Sequence, residues 1–130
     1  MKRWIHAAED VNETLPSKLR EYKYAFILRS TNADFNYDIW NIADQHGAYK
    51  ITYDKMNPKT GRFYSNGRYA RYIVPNEQTA KDIEHDATIN HHIPVEEFRG
   101  DYINWNDIYN IKIQHMDGTN EDVEYHKVRN

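Results

Sequence analysis

The stretch Tyr22–Arg29, reading YKYAFILR, does most to limit the possible folds. Tyr22, Tyr24, Phe26 and Leu28 alternate with Lys23, Ala25, Ile27 and Arg29, and a period of two is strand spacing. Ala25 and Ile27 on the second side are apolar as well, so this strand needs cover on both faces. That predicts a central strand of a sheet, with other parts of the chain packed above and below it.

The rest of the chain supplies those parts. Phe35, Ile39, Ile42 and Ala43 recur at helical spacing. Asn32 or Asp34 can cap that helix, and Gly47 can end it in a left-handed conformation. Ala48–Lys55 reads as a strand with Tyr49, Ile51 and Tyr53 on one side. After a loop at Asn57–Gly61, Ser65-Asn66-Gly67 forms a hairpin turn, because Asn-Gly tolerates positive φ. Arg68–Val74 then returns as a strand, with Arg68, Ala70, Tyr72 and Val74 on one side and Tyr69, Arg71 and Ile73 on the other. Asn76 caps a second helix whose apolar positions are Ala80, Ile83 and Ala87. Ile108–His115, the Asp117-Gly118 turn and Glu121–Val128 make a closing hairpin. Lys2–Ala7 fits a short first strand, and Pro16 suits the first position of a helical turn running to Tyr22. The expectation is an α+β fold, a mainly antiparallel sheet with two or three helices, with residues 1–130 as a single domain.

Composition removes several function classes. The chain has no cysteine, which excludes a disulfide framework, a thiol nucleophile and cysteine-ligated zinc. It carries no G-x-S-x-G elbow and no glycine loop of the kind that cradles phosphates. The longest apolar run, Tyr24–Leu28, is far too short to span a bilayer. The charged start, Met1-Lys2-Arg3, leads into no apolar leader, so the expectation is a cytoplasmic protein without a membrane partner.

Charge is unevenly distributed. Residues 1–76 hold 12 Lys/Arg against 8 Asp/Glu, a balance of +4, while residues 77–130 hold 5 against 12, a balance of −7. Such a split sets up a dipolar field if the two halves occupy different surfaces. Within the basic half, Lys55–Pro75 contains no acid and places Arg62, Arg68 and Arg71 among Tyr64 and Tyr69. Cations over phosphates and aromatic rings under bases are what nucleic-acid contact requires. Two features oppose that reading: the alternation of Arg68 and Arg71, which separates them onto two faces, and a pI near 6.1. Otherwise Tyr64, Tyr72 and Val74 belong to the core, with the arginines solvated. The acidic half offers Glu96, Glu97, Asp101, Asp117, Glu121 and Asp122 as carboxylates that could imitate phosphates in another protein's basic channel.

One motif points to chemistry. In INHHIPVEEFRGDYINWNDIYNIKIQH, the residues His91, Pro94, Gly100, Asn106 and Ile108 resemble the HNH nucleases. The resemblance covers about a fifth of the chain and implies His91 as general base, Asn106 orienting the metal-site loop, and His115 as ligand to a divalent metal. The chain departs from the pattern at Thr119, where a second ligand histidine is due, and in the hairpin that follows Asn106, where the family has a helix. His85 and His92 could meet Glu84 or Asp86 at a metal, but their spacing is not the i, i+4 of a helical site.

The small size, absence of cysteine and MKRWIHAAED opening are similar to small proteins of phages and mobile elements in Gram-positive bacteria, the anti-CRISPR proteins among them. That likeness implies a non-catalytic inhibitor without cofactor that engages a host nucleic-acid-handling protein complex through acidic and tyrosine-rich surface. The alternatives are a nucleic-acid-binding module built on Arg62, Tyr64, Arg68, Tyr69 and Arg71, and a metal-dependent nuclease built on His91.

Overall fold

The computed structural model describes residues 15–65 and 67–123. The strand expected at Lys2–Ala7, Asn66 of the hairpin turn, and the closing strand beyond Val123 lie outside the described residues. The elements run α1 (Ser17–Arg20), β1 (Tyr24–Ser30), α2 (Ala33–Gln45), β2 (Tyr49–Asn57), β3 (Arg62–Phe63), β4 (Tyr69–Val74), α3 (Glu77–His85), β5 (Val95–Tyr102), β6 (Ile108–Gln114) and β7 (Asn120–Val123). Among the described residues these seven strands form one sheet in the order β5-β1-β4-β2-β6-β7, with β3 hydrogen-bonded to β2. Every pairing is antiparallel. The protein is α+β, and β1 is a central strand.

Both faces of the sheet are covered in part. Tyr24, Phe26 and Leu28 of β1, with Tyr72 and Val74 of β4, pack under Ile39, Ile42 and Ala43 of α2 and Ala80 and Ile83 of α3. Asn32 caps α2 by accepting the Phe35 N–H at 3.0 Å, and Asn76 caps α3 by accepting the Thr79 N–H at 2.8 Å. Each cap satisfies a donor that the first helical turn leaves without a partner. On the other face, Ile51, Tyr53, Ile73, Ile108, Ile111, Ile113 and Val123 bury themselves with Leu15 and Leu19 at α1. Toward β5 no helix among the described residues lies over this second face, and it is called the open face below.

The expectations fail at three places, each for a tertiary reason. Tyr22, which the alternation places with Tyr24, precedes β1 and joins the other cluster. Its hydroxyl donates to the Gly47 carbonyl at 2.6 Å and its ring lies 4.9 Å from that of Tyr49. Val95–Tyr102, which the sequence pattern assigns to no element, is a full strand paired along β1. Tyr64 is exposed rather than in the core.

β6 contains a bulge that explains its spacing of apolar residues. Lys112 pairs with Thr52 and Tyr109 pairs with Asp54, so β6 holds one extra residue at this point. That residue is Asn110, at φ 56°, a left-handed conformation that Asn tolerates better than most residues. The insertion lets Ile108, Ile111 and Ile113 all face the same core. Arg68 braces it by donating to the Asn110 carbonyl and pairing with Asp54 at 3.2 Å, while the Asn110 side chain donates to Asp54 at 2.8 Å.

Candidate functional site

Alternation along the strands decides which side chains share the open face. On β2 these are Tyr49, Ile51, Tyr53, Lys55 and Asn57; on β4, opposite them, Tyr69, Arg71 and Ile73. Asn57 pairs with Arg62, which sets Arg62 on the same side. The Tyr64 N–H donates to the Lys55 carbonyl at 2.9 Å, extending the ladder by one pair and bringing Tyr64 beside Lys55. Four of the five residues proposed for nucleic-acid contact, Arg62, Tyr64, Tyr69 and Arg71, therefore lie on one face. Arg68 lies on the opposite face, committed to the β6 bulge. The sequence pattern correctly separated Arg68 from Arg71; the β2–β3 ladder, which the sequence does not show, unites Arg71 with Arg62.

Tyr69 and Arg71 of this set line a cleft of about 450 Å³, while Arg62 of β3 and Tyr64 just after it lie beyond the cleft. Its lining comes from Ala25 of β1, Tyr53 and Lys55 of β2, Tyr69 and Arg71 of β4, Arg99 and Asp101 of β5, and Asn104 and Ile108. The rings of Tyr53 and Tyr69 stack at 5.5 Å with planes 2° apart. The Arg71 guanidinium lies 5.3 Å from the centre of the Tyr69 ring, and the Lys55 ammonium 6.0 Å from it. Burial raises the Tyr53 phenol above its ordinary range, partly offset by the Arg71 charge. At neutral pH it is therefore a neutral donor. Lys55, Arg62 and Arg71 form no ion pair among the described residues, whereas Arg99 pairs with Glu97 at 2.7 Å. The cleft thus sets two cations without carboxylate partners among the described residues, Lys55 and Arg71, beside aromatic surface, with Asp101 on its far side.

The acidic candidates do not form a patch. Glu96, Glu97 and Asp101 lie on β5 at one end of the sheet; Asp117, Glu121 and Asp122 lie on or near β7 at the other. Glu96 and Glu97 both pair with Arg29, at 2.7 and 3.2 Å. Glu121 takes Lys18 at 2.5 Å and His115 at 3.2 Å. Asp117 accepts the N–H and hydroxyl of Thr119 within its own turn. The hydrogen bonds from Arg99 and then Arg29 hold Glu97 below the usual carboxylate range, as those from Lys18 and His115 do for Glu121.

The nuclease-like residues are likewise dispersed. His91 sits after α3, where a π-type turn at Asp86–Asn90 makes its N–H donate to the Asp86 carbonyl. Asn106 lies in a short turn of 3-10 helix at Trp105–Asp107, and His115 bonds Glu121 at the end of β6. β5, which follows His91, lies four strand spacings from β6, about 19 Å. Sequence reasoning missed His46: its Nε2 lies 2.9 Å from the Asp86 carboxylate, which His91 approaches at 3.6 Å. No spacing signal links His46 to Asp86, since only the packing of α2 against the turn after α3 joins them. Among the described residues no group of three or more His, Asp or Glu is arranged to hold a metal ion, and no helix is long and apolar enough to cross a membrane.

Comparison of the chain with protein-family models, with curated proteins and with solved structures finds no match.

Proposed function

We propose that this is a small non-catalytic binding protein of the cytoplasm whose open sheet face takes single-stranded nucleic acid. The observation that carries the reading is the gathering of Lys55, Arg62 and Arg71, all without a carboxylate partner among the described residues, beside Tyr64 and Tyr69. Cations without a carboxylate partner can exchange counterions for phosphates, and exposed rings accept bases of any sequence. Tyr64 is 42% exposed and offers the stacking surface; the Tyr69 ring already has Tyr53 against it and serves more to position Arg71.

The test is fluorescence anisotropy with a labelled oligonucleotide of about 12 nucleotides, a length suited to one small domain. Three phosphate contacts give a slope of log affinity against log salt of about −2. Arg62→Ala and Arg71→Ala each reduce that slope by about 0.7, and Arg68→Ala leaves it unchanged. Binding that ignores salt, or that survives Arg62→Ala and Arg71→Ala together, removes the proposal.

A second reading, the inhibitor of phage or mobile-element origin, is favoured by a different surface from the one the sequence suggested. Asp34, Asp38 and Asp44 on α2 and Asp82 on α3 are exposed and form no ion pair among the described residues. They give the helical layer its negative charge. If these carboxylates occupy a basic channel, the protein displaces DNA from a host DNA-binding complex, and changing all four to Asn abolishes the displacement.

A further inference from the structure

β5 is an edge of the sheet, and nothing among the described residues covers it. Natural edges are usually shortened, charged, bulged or broken by proline, and of these β5 carries charges of both signs, Glu96, Glu97, Arg99 and Asp101. β5 runs for eight residues, and from Phe98 to Tyr102 every one is exposed. The Ile103 N–H donates to the Lys23 carbonyl at 2.9 Å. Alternation then turns the backbone groups of Arg99 and Asp101 toward β1 and those of Phe98, Gly100 and Tyr102 outward. The Tyr102 N–H confirms the direction: it is bonded not to β1 but to the neighbouring Asp101 carboxylate at 2.8 Å.

We infer that this edge pairs with β5 of a second copy of the chain, antiparallel, with Gly100 opposite Gly100 at the two-fold axis. This register is chosen by charge. It sets Arg99 opposite Asp101 of the other copy, twice, and Phe98 opposite Tyr102, twice. Shifting the strand by one residue in each copy, so that Arg99 faces Arg99, puts like charges opposite one another, which is unfavourable. The Arg99–Asp101 pairs fall at the non-hydrogen-bonded positions, where side chains approach closest. Phe98, 36% exposed, and Tyr102, 63% exposed, gain a ring partner across the axis. The outward backbone groups of Phe98, Gly100 and Tyr102 gain the ladder they lack, and Asp101 gives up the Tyr102 N–H for an arginine. Because a two-fold axis between antiparallel edges stands perpendicular to the sheet, the open faces of both copies point the same way.

The experiment is sedimentation of the full chain from about 10 μM to about 1 mM, the range in which a small interface associates. Wild-type protein shows a monomer–dimer equilibrium. R99D sets Asp against Asp and D101R sets Arg against Arg, and each weakens association at least about tenfold. An equimolar mixture of the two variants restores it, because every cross-axis pair is again of opposite charge. A wild-type monomer at the highest concentration overturns the inference, as do a dimer insensitive to both reversals and a mixture that fails to associate. Amide exchange on wild-type protein gives an independent reading that does not depend on the variants folding: protection of Phe98, Gly100 and Tyr102 rises with concentration. Unchanged protection overturns the inference. Nucleic-acid binding by the open face can fail without affecting these results, and the reverse also holds.

Discussion

Replacing Gly100 with alanine tests how closely β5 lies on β1. A Cβ at this position would sit 2.6 Å from Tyr24 Cε2, 2.7 Å from the Ala25 carbonyl oxygen and 2.8 Å from Phe26 Cβ. All three are well inside ordinary contact distance, and two of them belong to or adjoin the backbone of a strand paired on both sides. Tyr24 cannot easily swing away, since it is 7% exposed and its ring meets that of Tyr102 edge-on at 5.2 Å. Overpacking of this kind costs about 1–3 kcal/mol, and rigid neighbours put it at the upper end. The narrower unfolded ensemble of alanine returns about 0.4–1 kcal/mol, leaving a net loss of about 2–2.6 kcal/mol. Against a total stability of about 5–15 kcal/mol, that is a lower urea midpoint with an unchanged slope. The accompanying fall in Tm is about 7–10 °C for a domain of this size. Introducing the same change into a Tyr24→Ala background should cost less, because one of the three clashes is gone. A loss below about 0.5 kcal/mol in the wild-type background would show that β5 relaxes freely, and the reasoning would fail.

Asn110→Ala should cost about 1 kcal/mol, since alanine lacks the local hydrogen bonding that eases a left-handed residue, while Asn110→Gly should cost less; urea unfolding compares them. Arg68→Ala should lower stability by about 1 kcal/mol through the bulge it braces, and should leave oligonucleotide affinity untouched in the anisotropy assay. Hydrogen bonds from His46 first, and then Asn90, hold Asp86 below the ordinary carboxylate range. A depressed carboxylate stabilises the fold above its unfolded value, about 3.9, and loses that contribution as pH falls through the lower folded value. The stability gap between wild type and Asp86→Asn should therefore be open at pH 6 and close below about pH 4, as urea midpoints across that range would show. Asn76→Ala should remove the α3 cap at a cost of about 1 kcal/mol, measured the same way.

Short-range pattern sufficed for the secondary elements whose causes are local. The β1 alternation, the caps at Asn32 and Asn76, and the helical spacing of Ile39, Ile42 and Ala43 each act within a few residues, and the structure shows them where the pattern placed them. β5 escaped notice because Glu97, Arg99 and Asp101 face the open side and Phe98 and Tyr102 stay exposed, so no buried stripe marks it. The bulge at Asn110 likewise depends on a partner strand over fifty residues away in the chain.

Charge shows the same division. The balance of +4 and −7 between the two parts of the chain follows from the residues alone. Which charges remain available was decided by the fold, because pairing depends on strands distant in sequence: Arg29 takes Glu96 and Glu97, Lys18 takes Glu121, and Arg68 takes Asp54. The available charges follow the layers more than the chain halves, with Lys55, Arg62 and Arg71 on the open sheet face, Asp101 at its β5 edge, and Asp34, Asp38, Asp44 and Asp82 on the helices. Local pattern determined the elements, since helix and strand periodicity are properties of neighbouring residues. Register and strand order determined the surface, since they alone bring residues far apart in sequence within the few ångströms over which charges pair.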